Sequence, residues 1–184
     1  MKNETSVLLS DLDKLTQQNL HVAEDMLKTD ISFLNKKTPA ESWSALECVE
    51  HLNRYGDFYL PEIATRLDAA TKTAQKSIFK SGFLGNKFAE MMRPGAKGMN
   101  TFKSMNPANS SRTIADIEKF IAQQYKMLEL LKRCADYNLS SIKTSISISN
   151  LIKLKLGDTL RVVIYHNERH LLQAQKSIER AKAH

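Results

Sequence analysis

Cysteine is scarce, with 2 residues in a chain of 184. Cys48 and Cys134 lie far apart and belong to no CxxC pair, so neither a disulfide framework nor a thiolate zinc site is signalled; both are expected as buried helix residues. Proline and glycine are also few, at 4 and 6, so long uninterrupted helices are the natural expectation. No apolar run approaches the roughly 18 to 20 residues of a membrane span. The opening MKNETSVLLSDLDK has no apolar stretch of signal-peptide type. A soluble cytoplasmic protein with no membrane partner is expected. Basic runs interleaved with aromatics are missing as well. The net charge of +7 is carried by scattered lysines and arginines, which suits acidic small molecules better than nucleic acid. With 42% hydrophobic residues, the chain has enough apolar material for one domain spanning residues 1–184.

The strongest periodic stretch comes late. Over residues 158–182, with Leu156 just ahead, Leu160, Val163, Ile164, Leu171, Ala174 and Ile178 recur at three- and four-residue steps, with charged residues on the other face. His166 and His170 flank this stripe. Four residues apart on a helix, they stand one turn above each other, with Cβ atoms about 6 Å apart, so both rings can turn toward one point. Two boundary histidines would give the same spacing. The zincin form HExxH is excluded, because Asn167 stands where the general-base glutamate would be. A chelate here needs a third arm from another element.

Earlier in the chain, residues 5–27 form an amphipathic pattern with Leu8, Leu12, Leu15, Val22 and Met26 on one face. His21 on that helix has no partner at ligand spacing and is expected to be exposed. Pro39 breaks the pattern. Ser44-Ala45-Leu46-Glu47 is a capping box and opens a second helix, on which His51, Leu52, Tyr55, Tyr59 and Ile63 share a side. Pro61 is expected to bend or break it. Glu47, one turn before His51, is a candidate to orient that ring, although the cap already occupies it. Tyr55 and Tyr59 read as packing residues, with pocket lining as the other option.

From residue 71 to 111 the periodicity fails at Gly82, Gly85, Pro94, Gly95, Gly98 and Pro107, which suggests a lid or long crossover holding one short helix at 84–92. Met91, Met92, Met99, Phe102 and Met105 read as its anchors on the core, with a cofactor pocket as the other option. Thr113 and Asp116 open a third long helix, ending near residue 135. Residues 138–155 contain the alternating SISISN, but a lone strand has no evident partner, so an extended connection is expected.

The run Trp43-Ser44, Glu47, His51-Leu52, taken with the late His166-Asn167-Glu168-Arg169-His170 and Gln173, resembles the DinB-like family of DinB/YfiT-like metalloenzymes. The resemblance extends over nearly the whole chain in the order and spacing of its elements. It implies an all-α four-helix bundle with a long crossover connection, a divalent metal, zinc or nickel foremost, held by His51, His166 and His170, and frequent homodimerisation. Related members transfer or attach low-molecular-weight thiols such as bacillithiol or mycothiol; others have no assigned reaction.

Three neutral imidazoles leave a divalent ion one open position, the arrangement of catalytic rather than structural zinc. Such an ion acidifies water or a thiol, so thiol S-transfer and hydrolysis are both open to it. The expected function is thiol S-transfer on a small-molecule substrate. A metal-dependent hydrolase, or a non-catalytic stress-response or interaction protein with a structural or vestigial metal, is the alternative. Glu168 is expected to face away from the metal and be solvated.

Overall fold

The structure, a computed structural model, describes residues 1–37, 43–73, 76–97, 100–108 and 112–183. Pro39, Gly98 and Met99 lie outside them.

Four long helices dominate an all-α fold: α1 (Thr5–Met26), α3 (Ala45–Asp68), α5 (Ile114–Cys134) and α6 (Leu156–Ala183). A short α2 (Ile31–Asn35), which the periodicity does not signal, follows α1, and Asp30 caps it by accepting from Ser32 N. The long helices close a ring of contacts, α1 on α5, α5 on α3, α3 on α6 and α6 on α1. Two apolar clusters fill the ring. One holds Leu12, Ile63, Met127 and Leu160, the other Leu46, Leu52, Phe120 and Leu171. No described helix is long and apolar enough to cross a membrane.

Local chemistry explains where the helices begin. The Ser44 hydroxyl accepts from Glu47 N at 3.2 Å, and the Glu47 carboxylate accepts from Ser44 N at 3.0 Å, so two otherwise orphaned donors are satisfied. Lys37 takes the other Glu47 oxygen at 2.8 Å, which makes burial of this carboxylate tolerable. At α5, Thr113 N donates to Asp116 at 2.9 Å. α3 runs through Pro61 unbroken. The missing N–H leaves only the Asp57 carbonyl without its helical donor, and Asp57 is exposed to water.

Both cysteines are buried and outside any disulfide, and burial raises both thiols, Cys134 to about 12. They are inert packing groups.

The expectation for residues 138–155 is corrected. β3 (Lys143–Ile146) and β4 (Ser149–Lys155) form an antiparallel hairpin around Ser147 and Ile148, with Thr144 opposite Leu154 and a register shift at Ser145/Ile146. The partner that a lone strand lacked is the next stretch of the same segment. Thr144, Ile146 and Leu154 are buried, and the Thr144 hydroxyl meets that of Thr159 on α6 at 2.6 Å. A second small pairing joins β1 (Lys2–Glu4) to β2 (Ile78–Lys80), with Phe79 tucked against Gly157.

Within the crossover, α4 (Phe83–Met92) packs on α6. Its anchor is a buried polar cluster. Arg161, fully buried, pairs with Asp158 at 3.3 Å and Glu90 at 2.6 Å, and donates to Ser81 at 3.0 Å and Asn86 at 3.1 Å. Asp158 also accepts from the Ser81 hydroxyl and, at 2.8 Å, from Gly82 N. Gly85 passes so close that a Cβ there would stand 2.4 Å from Asp158 Oδ2.

Candidate metal centre

α6 is buried on all sides from Leu156 to Asn167, so its polar groups in that stretch need partners inside the protein. Asn167 donates to Gln124 at 3.3 Å, and Arg161 has the cluster described above. His166 faces α3. There His51, 2% exposed, places its Nε2 at 3.2 Å from Nε2 of His166. His170, one turn on, completes the group, and one ring nitrogen from each of the three lies within 4.8 Å of the others.

Hydrogen bonds set the tautomers. The main-chain carbonyl of Met105 lies 2.7 Å from His51 Nδ1, so Nδ1 carries the proton and Nε2 presents a lone pair. Gln173 Oε1 does the same for His170 Nδ1 at 2.9 Å. Burial lowers all three imidazole pKa values, that of His51 to about 4 and that of His170 to about 3, and the neighbouring imidazoles add to this for His166 and His170. At neutral pH the three rings are neutral. Trp43 packs beside them, its ring centroid 4.7 Å from that of His51 and 5.7 Å from that of His170.

This donor set fits a divalent ion. Neutral imidazoles with converging lone pairs repel each other unless a proton or a cation sits between them. On an ion with bonds of about 2.0 to 2.1 Å, two tetrahedral ligand nitrogens stand about 3.3 Å apart, close to the spacing of His51 and His166. Two of the three histidines have a supporting acceptor of the kind that metal-bound histidines use, for His51 a carbonyl and for His170 an amide. Among the described residues no carboxylate or cysteine joins the group. The set is three histidines, which leaves a tetrahedral ion one position for something else.

The histidines form one wall of a cavity of about 130 Å³. Tyr55, Phe88, Met91, Phe102, Ile146 and Leu154 supply much of the rest, and among the described residues Arg169 is its one cation, the histidines being neutral. The cover comes from the crossover, through α4 and residues 100–102, together with the β3–β4 hairpin.

A model of the DinB superfamily matches residues 11–174, a span that contains the tryptophan-serine opening, the capping glutamate and all three histidines. The chain belongs to the DinB superfamily. No curated protein and no solved structure matches it.

In this DinB-superfamily chain, the residues singled out in the sequence come together unequally. His51, His166 and His170 converge; His21 stays on the surface, 3.4 Å from Asp25. Glu47 does not orient His51, since its oxygens serve the cap and Lys37 while His51 turns to Met105. Tyr55 and Tyr59 line the cavity, with the Tyr59 hydroxyl accepting from Ser147 N at 3.3 Å. Met91, Met92 and Phe102, expected as core anchors, line it too. Glu168 is half-buried rather than solvated, and burial raises its carboxyl pKa against the lowering effect of Arg93. Arg161 and Arg169 were missed, because nothing in their local spacing distinguishes them from surface arginines.

Proposed function

We propose that the protein is a metal-dependent enzyme in which His51, His166 and His170 hold one divalent ion, zinc or nickel, and that its reaction is transfer of a low-molecular-weight thiol to an apolar electrophile. The observation that carries this reading is the position of three neutral imidazoles on the wall of a cavity whose other lining is mostly apolar. An ion held there supplies Lewis acidity at one vacant position, which lowers the pKa of a thiol or water placed on it.

The chain's own residues bias the choice between these nucleophiles. Phe88, Met91, Phe102, Ile146 and Leu154 offer water little to bind and offer a soft, apolar reactant a good deal. Methionine adapts its shape to varied ligands. Met105 O and Gln173 Oε1 hold two rings in the tautomer that presents Nε2, so neither of these has to reorient. In the reaction the thiol loses its proton to solvent. A sulfur–carbon bond then forms, and the leaving group departs with its electron pair.

The test presents metal-loaded protein with cysteine, glutathione, bacillithiol and mycothiol in turn, using monochlorobimane as electrophile, and compares the wild type with His51→Ala at matched thiol concentration. One thiol should react above the uncatalysed rate, and the excess should vanish in the variant. Equal rates across the panel would move the assignment to hydrolysis or to a non-catalytic role. The proposal takes in a single-domain organisation and a cytoplasmic location, expected from length and composition, and homodimerisation, which the resemblance implies; sedimentation at the monomer mass would remove the last of these.

A further inference from the structure

Past His170, α6 carries Gln173, Lys176 and Arg180, which together with Arg169 follow three- and four-residue steps and stand along one face over about three turns. This face is one wall of a second cleft, of about 260 Å³, with Trp43 and the turn at Pro94 and Gly95 among its other walls. Arg169, Lys176 and Arg180 line it, and among the described residues no carboxylate does. Neither Lys176 nor Arg180 has an ion-pair partner among the described residues. Like charges four residues apart cost a helix stability, so this pair gives α6 no support of its own. Placement at the negative end of the helix accounts for Arg180 in the last turn, but not for Lys176 or Arg169 further back.

Two features tie the cleft to the histidines. Arg169 lines both cavities, and its guanidinium spends one donor on Met91 O at 3.0 Å, leaving others for a ligand. Gln173 accepts from His170 Nδ1 through Oε1, while its amide N–H groups remain as donors at the cleft.

We propose that this cleft is an anion subsite, taking a carboxylate or phosphate group of the small molecule whose reacting end lies against His51, His166 and His170. Two guanidinium forks match either group bidentately, and an ammonium adds a point charge. The net charge of +7 draws such a molecule toward the protein. The link to the histidine cavity rests on the function proposed above; the anion subsite by itself does not.

Trp43 is the only tryptophan and touches both the cleft and the histidines, so its fluorescence reports on each. Full-length protein is titrated with malonate and, separately, with inorganic phosphate, at ionic strength held constant with sodium chloride. The wild type is compared with Lys176→Gln/Arg180→Gln, a double change at two exposed positions. A saturable change in Trp43 emission is expected with at least one dianion, weakened at least tenfold in the double variant. The stronger of the two dianions identifies the group as carboxylate or phosphate. Zinc affinity, measured by calorimetry, should be the same in both proteins. In the thiol assay, malonate should raise the KM for thiol without changing kcat in the wild type only. A response no different from that to chloride, or a double variant that titrates like the wild type, overturns the subsite. A short DNA duplex that displaces both anions with steep salt dependence overturns the small-molecule assignment. If malonate binds but zinc does not, the metal reading fails while the subsite stands; the reverse result removes the subsite alone.

Discussion

Substitution of either partner in the buried pair Asp158–Arg161 should reveal which charge depends more on the other. Both side chains are fully buried. In Arg161→Met, Asp158 keeps the Ser81 hydroxyl and Gly82 N as donors and stays in the first turn of α6, where the helix dipole favours an anion. Glu90 loses little, because it is half-exposed and still pairs with Arg93 at 2.9 Å. The expected cost is therefore at the low end of the range for a broken buried pair, about 3 kcal/mol. In Asp158→Ala the guanidinium stays fully buried with Glu90 and two neutral oxygens, its Nε already lacks a partner, and Ser81 and Gly82 lose their acceptor. The cost should approach about 5 kcal/mol. Because each single change strands the other group, the double variant should lose clearly less than the two single losses combined. Urea unfolding of the three variants measures this, and hydrogen exchange should show α4 amides opening first in Arg161→Met, since Arg161 is their tether. Equal costs for the two single variants, the reverse order, or additivity would refute the reasoning.

Three further outcomes follow from the same structure. His166→Ala and His170→Ala should each lose tight metal binding while keeping helix content, alanine being the better helix former; one ion per chain in both variants, by elemental analysis, would remove the ligand assignment. In metal-free protein the folded imidazole pKa values lie below the 6.5 of an ordinary histidine, about 4 for His51 and about 3 for His170, so the unfolded chain binds more protons in that interval. Stability should thus be full above about pH 6.5 and fall as pH drops, by about 1.4 kcal/mol per pH unit per histidine; urea midpoints that stay level between about pH 6.5 and 5 would contradict this. Gly85→Ala should destabilise by about 1 to 3 kcal/mol through collision with Asp158, although helix propensity alone predicts a gain of about 1 kcal/mol; a raised melting temperature would show that α4 packs differently.

What the sequence discloses is what local rules control. The Ser44–Glu47 cap, the ends of α5 and the stripe of α6 depend on residues within one or two turns, and they stand where the periodicity puts them. The His166–His170 pair is legible for the same reason. His51 is not legible from spacing, because its place beside them depends on packing between positions 115 apart in the chain; only the resemblance to a family supplies it. Arg161 reads as a surface residue until α4 folds over it and brings Glu90. The hairpin is hard to see in the sequence because its two strands form one continuous alternating segment, in which each is the partner of the other. Met91, Met92 and Phe102 read as core rather than as cavity wall because apolar residues lining a pocket and apolar residues filling a core have the same side chains and the same periodicity.

His51 is oriented by a carbonyl of the main chain, the one at Met105, and not by any side chain. A substitution at position 105 therefore leaves the acceptor in place, and a scan of single substitutions would pass over this contact as neutral. The constraint lies instead on the path of the backbone through residues 103–106, where Arg54 also holds the carbonyls of Ser104 and Asn106 at 3.1 and 3.0 Å. The identity of the side chains in this stretch therefore matters less than its course, and an inserted or deleted residue there would disturb His51 more than an exchange of side chains.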